Sequence, residues 1–414
     1  MRPTALRVAA VLLAVLCVLA GCGSDRGPRS SGAGASDPST TTTTTTSTST
    51  STSTSPSPDP APASPAPAGD LEQQVTAALT GLDRRARIAQ LFVVGVPADQ
   101  PDLGAELAGQ GVGGTFLAGR PTASAADLGR LTSGWQERST GPGLWIAADQ
   151  EGGSVQSLKG AGFDRLPPAT VQGDLPADQL SALAAASGSR LASAGVNLDL
   201  APVVDVVPAG TESTNGPIGV FDRQYGATAA EVVPAATAVV DGLAGAGVTS
   251  TLKHFPGLGR VRGNTDDTPD VVDPDTAAGD ESVAAFAGTL AGTTAHPMVM
   301  LSSATYPRID PANRAVFSPV VVRDLLRGAL GFTGPVISDD LGAATAVADV
   351  PVGERAVRFL AAGGTLVLTV APDTFPVMLE AVVARDAADP AFAAAVDDAV
   401  RTALLAKARA GLLG

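Results

Sequence analysis

Eight short, continuous apolar runs recur along the chain, and this repeat constrains the fold more than any other feature of the sequence. Each run has three to eleven residues, and most are rich in Val, Leu and Ile. Unbroken apolar runs are typical of strands buried on both faces, as in a parallel sheet, because a half-solvated strand alternates apolar and polar residues. The runs are residues 91–96, 112–117, 144–148, 196–206, 248–253, 298–301, 336–338 and 365–370.

Alanine-rich segments with helical periodicity separate these runs. Glycine follows three of the segments, at Gly195, Gly247 and Gly363, where a left-handed residue commonly ends a helix. Eight alternations of strand and helix favour an α/β fold, a single (β/α)8 TIM-type barrel rather than a doubly wound sheet. The helical segments are residues 123–136, 177–194, 229–246, 280–290, 318–328, 353–362, 375–385 and 390–412.

The first residues predict an export signal. Two arginines precede an apolar run at residues 8–20, which is too short to span a bilayer and has the length of a signal-peptide core. The string Leu-Ala-Gly-Cys at 19–22 resembles a bacterial lipobox, in which the cysteine is lipidated and becomes the new N-terminus. We expect residues 1–21 to be a lipoprotein signal peptide and Cys22 to anchor the protein to the outer face of the cell membrane. The alternative is an ordinary secretory cleavage site beside a chance cysteine.

Residues 22–69 have the composition of a disordered linker. Every residue from Pro38 to Pro58 is Ser, Thr or Pro. Such a segment has no apolar surface to bury and cannot compensate the entropy of ordering, so we expect an extended tether, with or without O-glycosylation. Residues 70–414 contain no second linker and are expected to form one globular domain.

Charge and composition exclude several classes of function. The formal net charge is −14, and there is no long basic stretch, which argues against nucleic acid as a partner. Two cysteines and two histidines are too few for a structural zinc site. No nucleotide-binding glycine motif follows a predicted strand. We therefore expect no metal and no cofactor. We also expect the protein to be a monomer.

Polar residues cluster where the predicted strands end. In a (β/α)8 barrel the carboxyl ends of the strands meet at one rim, and chemistry is carried by the loops there. Carboxylates, a lysine, a histidine and an arginine at one rim suit a polyhydroxylated ligand and a positively charged transition state. These residues are Asp149, Glu151, Asp199, Asp205, Arg223, Lys253, His254, Asp339 and Asp340.

At these positions the sequence resembles glycoside hydrolase family 3, in its single-domain, β-N-acetylglucosaminidase-like branch. The strings KHFPGLG at 253–259 and SDDL at 338–341 are the most specific, and DQEGG at 149–153 supports them. Three further strings occur in the family's order: QLFVVG at 90–95, NLDLAPVVDV at 197–206 and MLSSATYP at 300–307. The resemblance covers nearly all of residues 85–400.

The resemblance implies a role for each matching residue. Asp339 matches the family's catalytic nucleophile, which forms a covalent glycosyl-enzyme in a retaining mechanism. Four residues match those that hydrogen-bond the terminal sugar: Asp149, Arg223, Lys253 and His254. We expect Asp340 to orient its neighbours rather than to react. His296 precedes a strand, at the opposite face of the barrel, and is expected to be structural.

The sequence departs from the family at the general acid/base. An Asp-x-His pair usually follows KHFPG, but here its positions hold Asn264 and Asp266, and no histidine occurs between His254 and His296. Asp266 is the in-register candidate for the acid/base, with Asp267 as the alternative. Glycines at 257, 259 and 263 predict a mobile loop that closes over the sugar. A second departure is Ser154, where the family usually has arginine.

Three hypotheses for the function remain. The first is a retaining exo-β-glycosidase, specifically a β-N-acetylhexosaminidase that acts on β-linked amino sugars derived from peptidoglycan. The second is a degenerate lipoprotein of the same fold that binds sugars without hydrolysing them, and the missing histidine favours it. The third is a solute-binding lipoprotein, which the eight strand runs disfavour because that fold has two lobes.

Overall fold

A parallel barrel of eight strands forms the centre of the molecule. The computed structural model describes residues 68–413, so Cys22, the predicted signal peptide and the predicted linker lie outside the described residues. The strands are β1 (Phe92–Pro97), β2 (Gly114–Ala118), β3 (Trp145–Ala148), β4 (Leu198–Asp199), β5 (Thr249–Phe255), β6 (Met298–Leu301), β7 (Val336–Ser338) and β8 (Val367–Thr369).

Hydrogen bonding places the strands in the order β7-β6-β5-β4-β3-β2-β1-β8, with every neighbouring pair parallel. A parallel bridge between Ile337 and Leu366 joins the two ends of this sheet. All four residues of β3 and of β6 are buried, as continuous apolar strands require. The predicted (β/α)8 barrel is confirmed.

Helices surround the barrel. Those that match predicted segments are Ala125–Arg138, Ala177–Ser193, Ala229–Gly245, Glu281–Gly292, Val352–Ala362, Phe375–Ala388 and Pro390–Arg409. Gly195, Gly247 and Gly363 have φ values of 71°, 76° and 106°, so each takes the left-handed conformation expected after a helix. The segment Val320–Ala329 differs from the prediction in being a π-helix, in which Leu330 N donates to Leu325 O at its end.

Four α-helices of the described residues lie outside the predicted segments: Ala68–Gly81, Arg84–Ala89, Asp102–Gly109 and the short Ala169–Gln172. The first packs against the last helix, Pro390–Arg409, and the third supplies the β1–β2 connection. Two small antiparallel hairpins also lie in loops, one at Gln150–Gln156 after β3 and one at Thr305–Arg314 after β6. Among helices of the described part of the chain, none has the length and hydrophobicity needed to cross a membrane.

Candidate active site

A cavity of about 420 Å³ lies at the carboxyl ends of the strands. The structure brings all six predicted catalytic and sugar-binding residues to its wall: Asp149, Arg223, Lys253, His254, Asp266 and Asp339. The loops after β3, β4, β5 and β7 supply these side chains, together with β5 itself. This is the rim where (β/α)8 barrels carry their chemistry.

A buried ion-pair cluster forms one wall of the cavity. Lys253 Nζ donates to Asp149 Oδ1 at 2.8 Å and lies 2.6 Å from Glu151 Oε1. The Arg223 guanidinium binds the same Glu151 carboxylate with two bonds, from Nε at 2.8 Å and from Nη2 at 2.6 Å. Paired planar groups of this kind are strongly directional. Glu151 therefore fixes both cations in place beneath the cavity.

Charge pairing decides the protonation of this cluster. Burial acts to raise the pKa of Glu151, but the positive charges of Arg223 and Lys253 outweigh it and lower that pKa to about 2. Burial acts to lower the pKa of Lys253, and the negative charges of Asp149 and Glu151 reverse the effect, so that pKa lies above its ordinary value. Both residues are therefore charged at neutral pH.

Asp205 contacts both the ring and the backbone of His254, the residue that follows Lys253 in β5. Its Oδ2 lies 2.7 Å from His254 Nδ1, and its Oδ1 accepts the backbone N–H groups of His254 at 3.1 Å and Leu258 at 2.6 Å. Asp205 is fully buried and does not line the cavity, whereas the imidazole does. The carboxylate accordingly orients the histidine ring from behind.

Asp339 lies directly after β7 and lines the same cavity as Arg223, Lys253 and His254. Burial raises the pKa of the Asp339 carboxyl to about 6, since the opposing effect of His254 is smaller; the negative charge of Asp266 adds to the rise. Asp266 is exposed at the cavity mouth, and its charge reaches Asp339. A carboxylate held at a strand end, in a cavity that a second carboxylate also lines, has the groups that glycosyl transfer to a protein nucleophile uses.

Three further residues noted in the sequence, Asp340, Asp267 and Ser154, are not among the predicted catalytic and sugar-binding residues at the cavity wall. Asp340 accepts backbone N–H groups from Gly342, Val370 and Ala343, each at 2.8 Å, and so orients the loop, as expected. Asp267 is exposed, does not line the cavity and accepts a bond from Thr268. The backbone carbonyl of Ser154 accepts a 3.4 Å bond from Arg120, a guanidinium supplied by the loop after β2.

His296 lies at the opposite end of the barrel, before β6, as the sequence predicts. It borders a larger cavity of about 590 Å³ together with Trp145 and Phe332. Among the described residues that line this second cavity there is no carboxylate, so it lacks the groups for glycoside hydrolysis. Size alone therefore does not identify the site.

Sequence reasoning placed Glu151 and Asp205 at the rim but assigned neither a role. The signal in each case is a carboxylate in a buried setting, because such a group is costly unless it is paired. Glu151 follows Asp149, a predicted sugar-binding residue, by two positions, and Asp205 interrupts the apolar run 196–206. Their partners, 72 and 49 residues away in the chain, appear only in the structure.

A pair of carboxylates in a cavity at the carboxyl end of a (β/α)8 barrel, here Asp339 and Asp266, is an arrangement typical of barrel glycoside hydrolases. The chain belongs to glycosyl hydrolase family 3, because residues 84–403 match the family's N-terminal domain.

Relatives of known name agree with this family. The chain is 35% identical over 285 residues to a beta-hexosaminidase of Stenotrophomonas maltophilia, which covers 66% of this chain and 81% of the relative. It is 34% identical over 316 residues to the beta-hexosaminidase LpqI of Mycobacterium tuberculosis, and the match covers 72% of this chain and 76% of that relative. Among solved structures, a beta-N-acetylhexosaminidase from Beutenbergia cavernae superposes with a TM-score of 0.74 at 44% identity, covering 79% of this chain and 98% of that one.

Proposed function

We propose that the protein is a retaining exo-β-N-acetylhexosaminidase that removes a terminal β-linked amino sugar. The observation that carries the proposal is the presence of Asp339 in one cavity with Asp149, Arg223, Lys253 and His254. The two cations, paired with Asp149 and Glu151, offer charged hydrogen-bonding groups to sugar hydroxyls in the cavity that holds the nucleophile. The names of the relatives support the amino sugar as substrate.

The reaction proceeds in two steps. The Asp339 carboxylate attacks the anomeric carbon, the bond from that carbon to the leaving oxygen breaks, and Asp266 gives its proton to the departing oxygen. Water then attacks the same carbon, Asp266 takes the water proton, and the ester bond to Asp339 breaks. The sugar leaves with its original β configuration, and both carboxyl groups return to their starting states.

The choice of Asp266 as acid/base rests on its position. It lines the cavity, whereas Asp267 does not, and its charge acts on Asp339. It lies on the exposed side of the cavity, where a leaving group departs to solvent.

Hydrolysis of a panel of aryl β-glycosides tests the function. We expect release from the β-N-acetylglucosaminide well above that from the glucoside and galactoside, and loss of release in Asp339→Asn, a matched isosteric control. Absence of hydrolysis throughout, with saturable binding of N-acetylglucosamine, establishes the second candidate instead, a sugar-binding protein. The missing Asp-x-His pair is the observation that favours this alternative.

We further propose that the protein is a monomer, held on the outer face of the cell membrane by a lipid on Cys22, where it meets peptidoglycan-derived fragments. The lipobox string at 19–22 supports the anchor. In cell fractionation, Cys22→Ala is expected to move the protein from the membrane to the soluble fraction, while Cys17→Ala leaves it in place. Retention of Cys22→Ala on the membrane contradicts the anchor. Light scattering of the globular domain is expected to give the mass of a single copy, and the mass of two or more copies contradicts the monomer.

A further inference from the structure

Residues 257–266, here called the acid/base segment, carry Asp266 from the end of β5 to the cavity mouth. Two of the glycines in this segment occupy positions that other residues would strain. A Cβ on Gly259 would lie 1.8 Å from the carbonyl oxygen of Val206, and Gly257 has a φ of 136° that other residues rarely adopt. The glycines thus allow the segment to lie close against the barrel rim.

Asn215 holds the middle of the segment. Its Nδ2 donates to the carbonyl oxygens of Leu258 at 2.8 Å and Val261 at 2.7 Å. Its Oδ1 accepts the backbone N–H groups of Ile218 at 3.2 Å and Gly219 at 2.7 Å. An asparagine amide offers two donors and two acceptor sites, so all four are used. The side chain is 2% exposed, and water does not compete for these bonds.

The same asparagine reaches the sugar-binding side of the cavity. Ile218 O accepts the backbone N–H of Arg223 at 3.2 Å, and Pro217 O accepts a bond from the Arg223 guanidinium at 2.8 Å. The backbone of Gly216 donates to Arg262 O at 3.2 Å. Asn215 therefore connects the loop that carries a sugar-binding cation with the segment that carries Asp266.

The far end of the segment is fixed by the loop after the nucleophile. The backbone N–H of Thr345 donates to Asp266 O and that of Ala346 donates to Thr265 O, both at 3.0 Å. Thr345 is the first residue of the short helix Thr345–Val347. The acid/base segment is thus tied to a second loop at the residue that the reaction uses.

We propose that Asn215 is a positioning residue, which together with the Thr345 amide holds the acid/base segment so that Asp266 lies at the cavity. The inference rests on the proposed function, because it assigns Asn215 an effect through Asp266. The segment itself is held by bonds that can be tested separately from activity.

Two variants release the segment selectively. Asn215→Asp replaces both donors with a carboxylate oxygen facing two carbonyl oxygens, yet keeps the acceptor for Ile218 and Gly219. Thr345→Pro removes one N–H at the first position of a short helix, where proline is tolerated, and Thr345→Ala keeps that N–H. Asn197→Asp is the matched control for the first variant, because Asn197 also bonds backbone groups, of Ile146 and Leu144, at the other end of the barrel.

Trypsin reports on the segment directly, since Arg260 and Arg262 lie within it. Cleavage after these residues, mapped by mass spectrometry, is expected to be about tenfold faster in Asn215→Asp and Thr345→Pro than in wild type, because proteolysis follows the open population. Asn197→Asp and Thr345→Ala are expected to match wild type. Equal cleavage in all five proteins, or rapid cleavage of the wild type, overturns the proposal.

Kinetics report on Asp266. In Asn215→Asp we expect kcat to fall by about 10²-fold for glycosides with poor leaving groups and by less than about threefold for dinitrophenyl glycosides, because only the former need a proton. KM is expected to change little, since the Arg223 loop keeps its bonds. An equal loss on both substrates, or a loss seen only in KM, excludes positioning of Asp266.

The two proposals fail in different ways. A wild type that hydrolyses no glycoside refutes the enzyme, while the trypsin comparison still decides whether Asn215 holds the segment. An active wild type in which Asp266→Ala shows leaving-group dependence and Asn215→Asp does not refutes only the role of Asn215. Should Asn215→Asp not fold, Thr345→Pro provides the same two measurements.

Discussion

The Nδ1 atom of His254 lies 2.7 Å from Oδ2 of Asp205, a carboxylate that is fully buried behind the cavity wall. An unprotonated carboxylate only accepts hydrogen bonds, so the proton of the ring must sit on Nδ1. In the neutral imidazole this leaves the Nε2 lone pair as an acceptor for a sugar hydroxyl. The pair thus sets which kind of hydrogen bond His254 presents.

Asp205→Asn is expected to reverse this preference, because an amide N–H can donate to Nδ1 and move the ring proton to Nε2. The amide oxygen keeps the acceptor for the backbone of His254 and Leu258. We expect KM for the aryl glycoside to rise about tenfold, the cost of roughly one hydrogen bond. Asp273→Asn is the control, since Asp273 is equally buried and caps backbone groups without contacting a histidine. An unchanged KM would show that substrate binding does not depend on which ring nitrogen of His254 carries the proton.

Asp339→Ala is expected to reduce turnover by more than about 10³-fold, because the variant has no group to form the covalent intermediate. Sugar binding and the thermal unfolding transition are expected to be preserved. Added azide, entering from the vacated side, is expected to yield the glycosyl azide of inverted, α configuration, which NMR distinguishes from the β product. Activity above about a tenth of wild type excludes Asp339 as the nucleophile.

The pH profile of kcat/KM is expected to have an acidic limb near pH 6. Burial raises the pKa of Asp339 to about 6, and only the ionised carboxylate attacks, so activity falls as pH decreases through that value. Since Asp266 contributes to the raised pKa, Asp266→Ala is expected to move the limb to lower pH on dinitrophenyl glycosides. A limb near pH 4 in wild type contradicts the raised pKa.

Asp266→Ala is expected to slow substrates with poor leaving groups by about 10²-fold or more and activated aryl glycosides far less. Azide is expected to rescue turnover and to give the glycosyl azide of retained, β configuration. Asp267→Ala serves as the control, being the adjacent carboxylate outside the cavity wall. If Asp267→Ala behaves this way instead, the assignment shifts by one residue.

Much of the barrel is predictable because its strands are buried on both faces. Runs 298–301 and 336–338 coincide with β6 and β7 residue by residue. The run 196–206 extends beyond β4, and its residues past Asp199 still bond both neighbouring strands. Leu200 N donates to Ala148 O at 2.9 Å, Thr251 N donates to Ala201 O at 2.8 Å, and a bridge joins Val203 to Lys253. The helix Asp102–Gly109 escaped prediction because two glycines in eight residues weaken its helical signal.

The candidate site also has a part that the sequence predicts and a part that it does not. The presence of the six predicted catalytic and sugar-binding residues at the cavity is predictable, since strand ends of one barrel meet at one rim. The roles of Glu151 and Asn215 are not, because each depends on contacts with residues distant in the chain. Asn215 donates to backbone carbonyl groups 43 and 46 residues away. Every residue type has such a carbonyl, so the identity of the acceptor residues does not reveal the contact.

The cluster around Glu151 also determines how the site responds to salt. Asp149 and Glu151 carry two negative charges, and Arg223 and Lys253 carry two positive charges, so the sugar-binding wall is electrically neutral. Buried pairs are screened weakly by dissolved ions, and a neutral sugar gains nothing from long-range attraction. For the proposed substrate, an uncharged N-acetylated sugar, affinity is therefore expected to be nearly independent of ionic strength, even though the chain as a whole carries a net charge of −14.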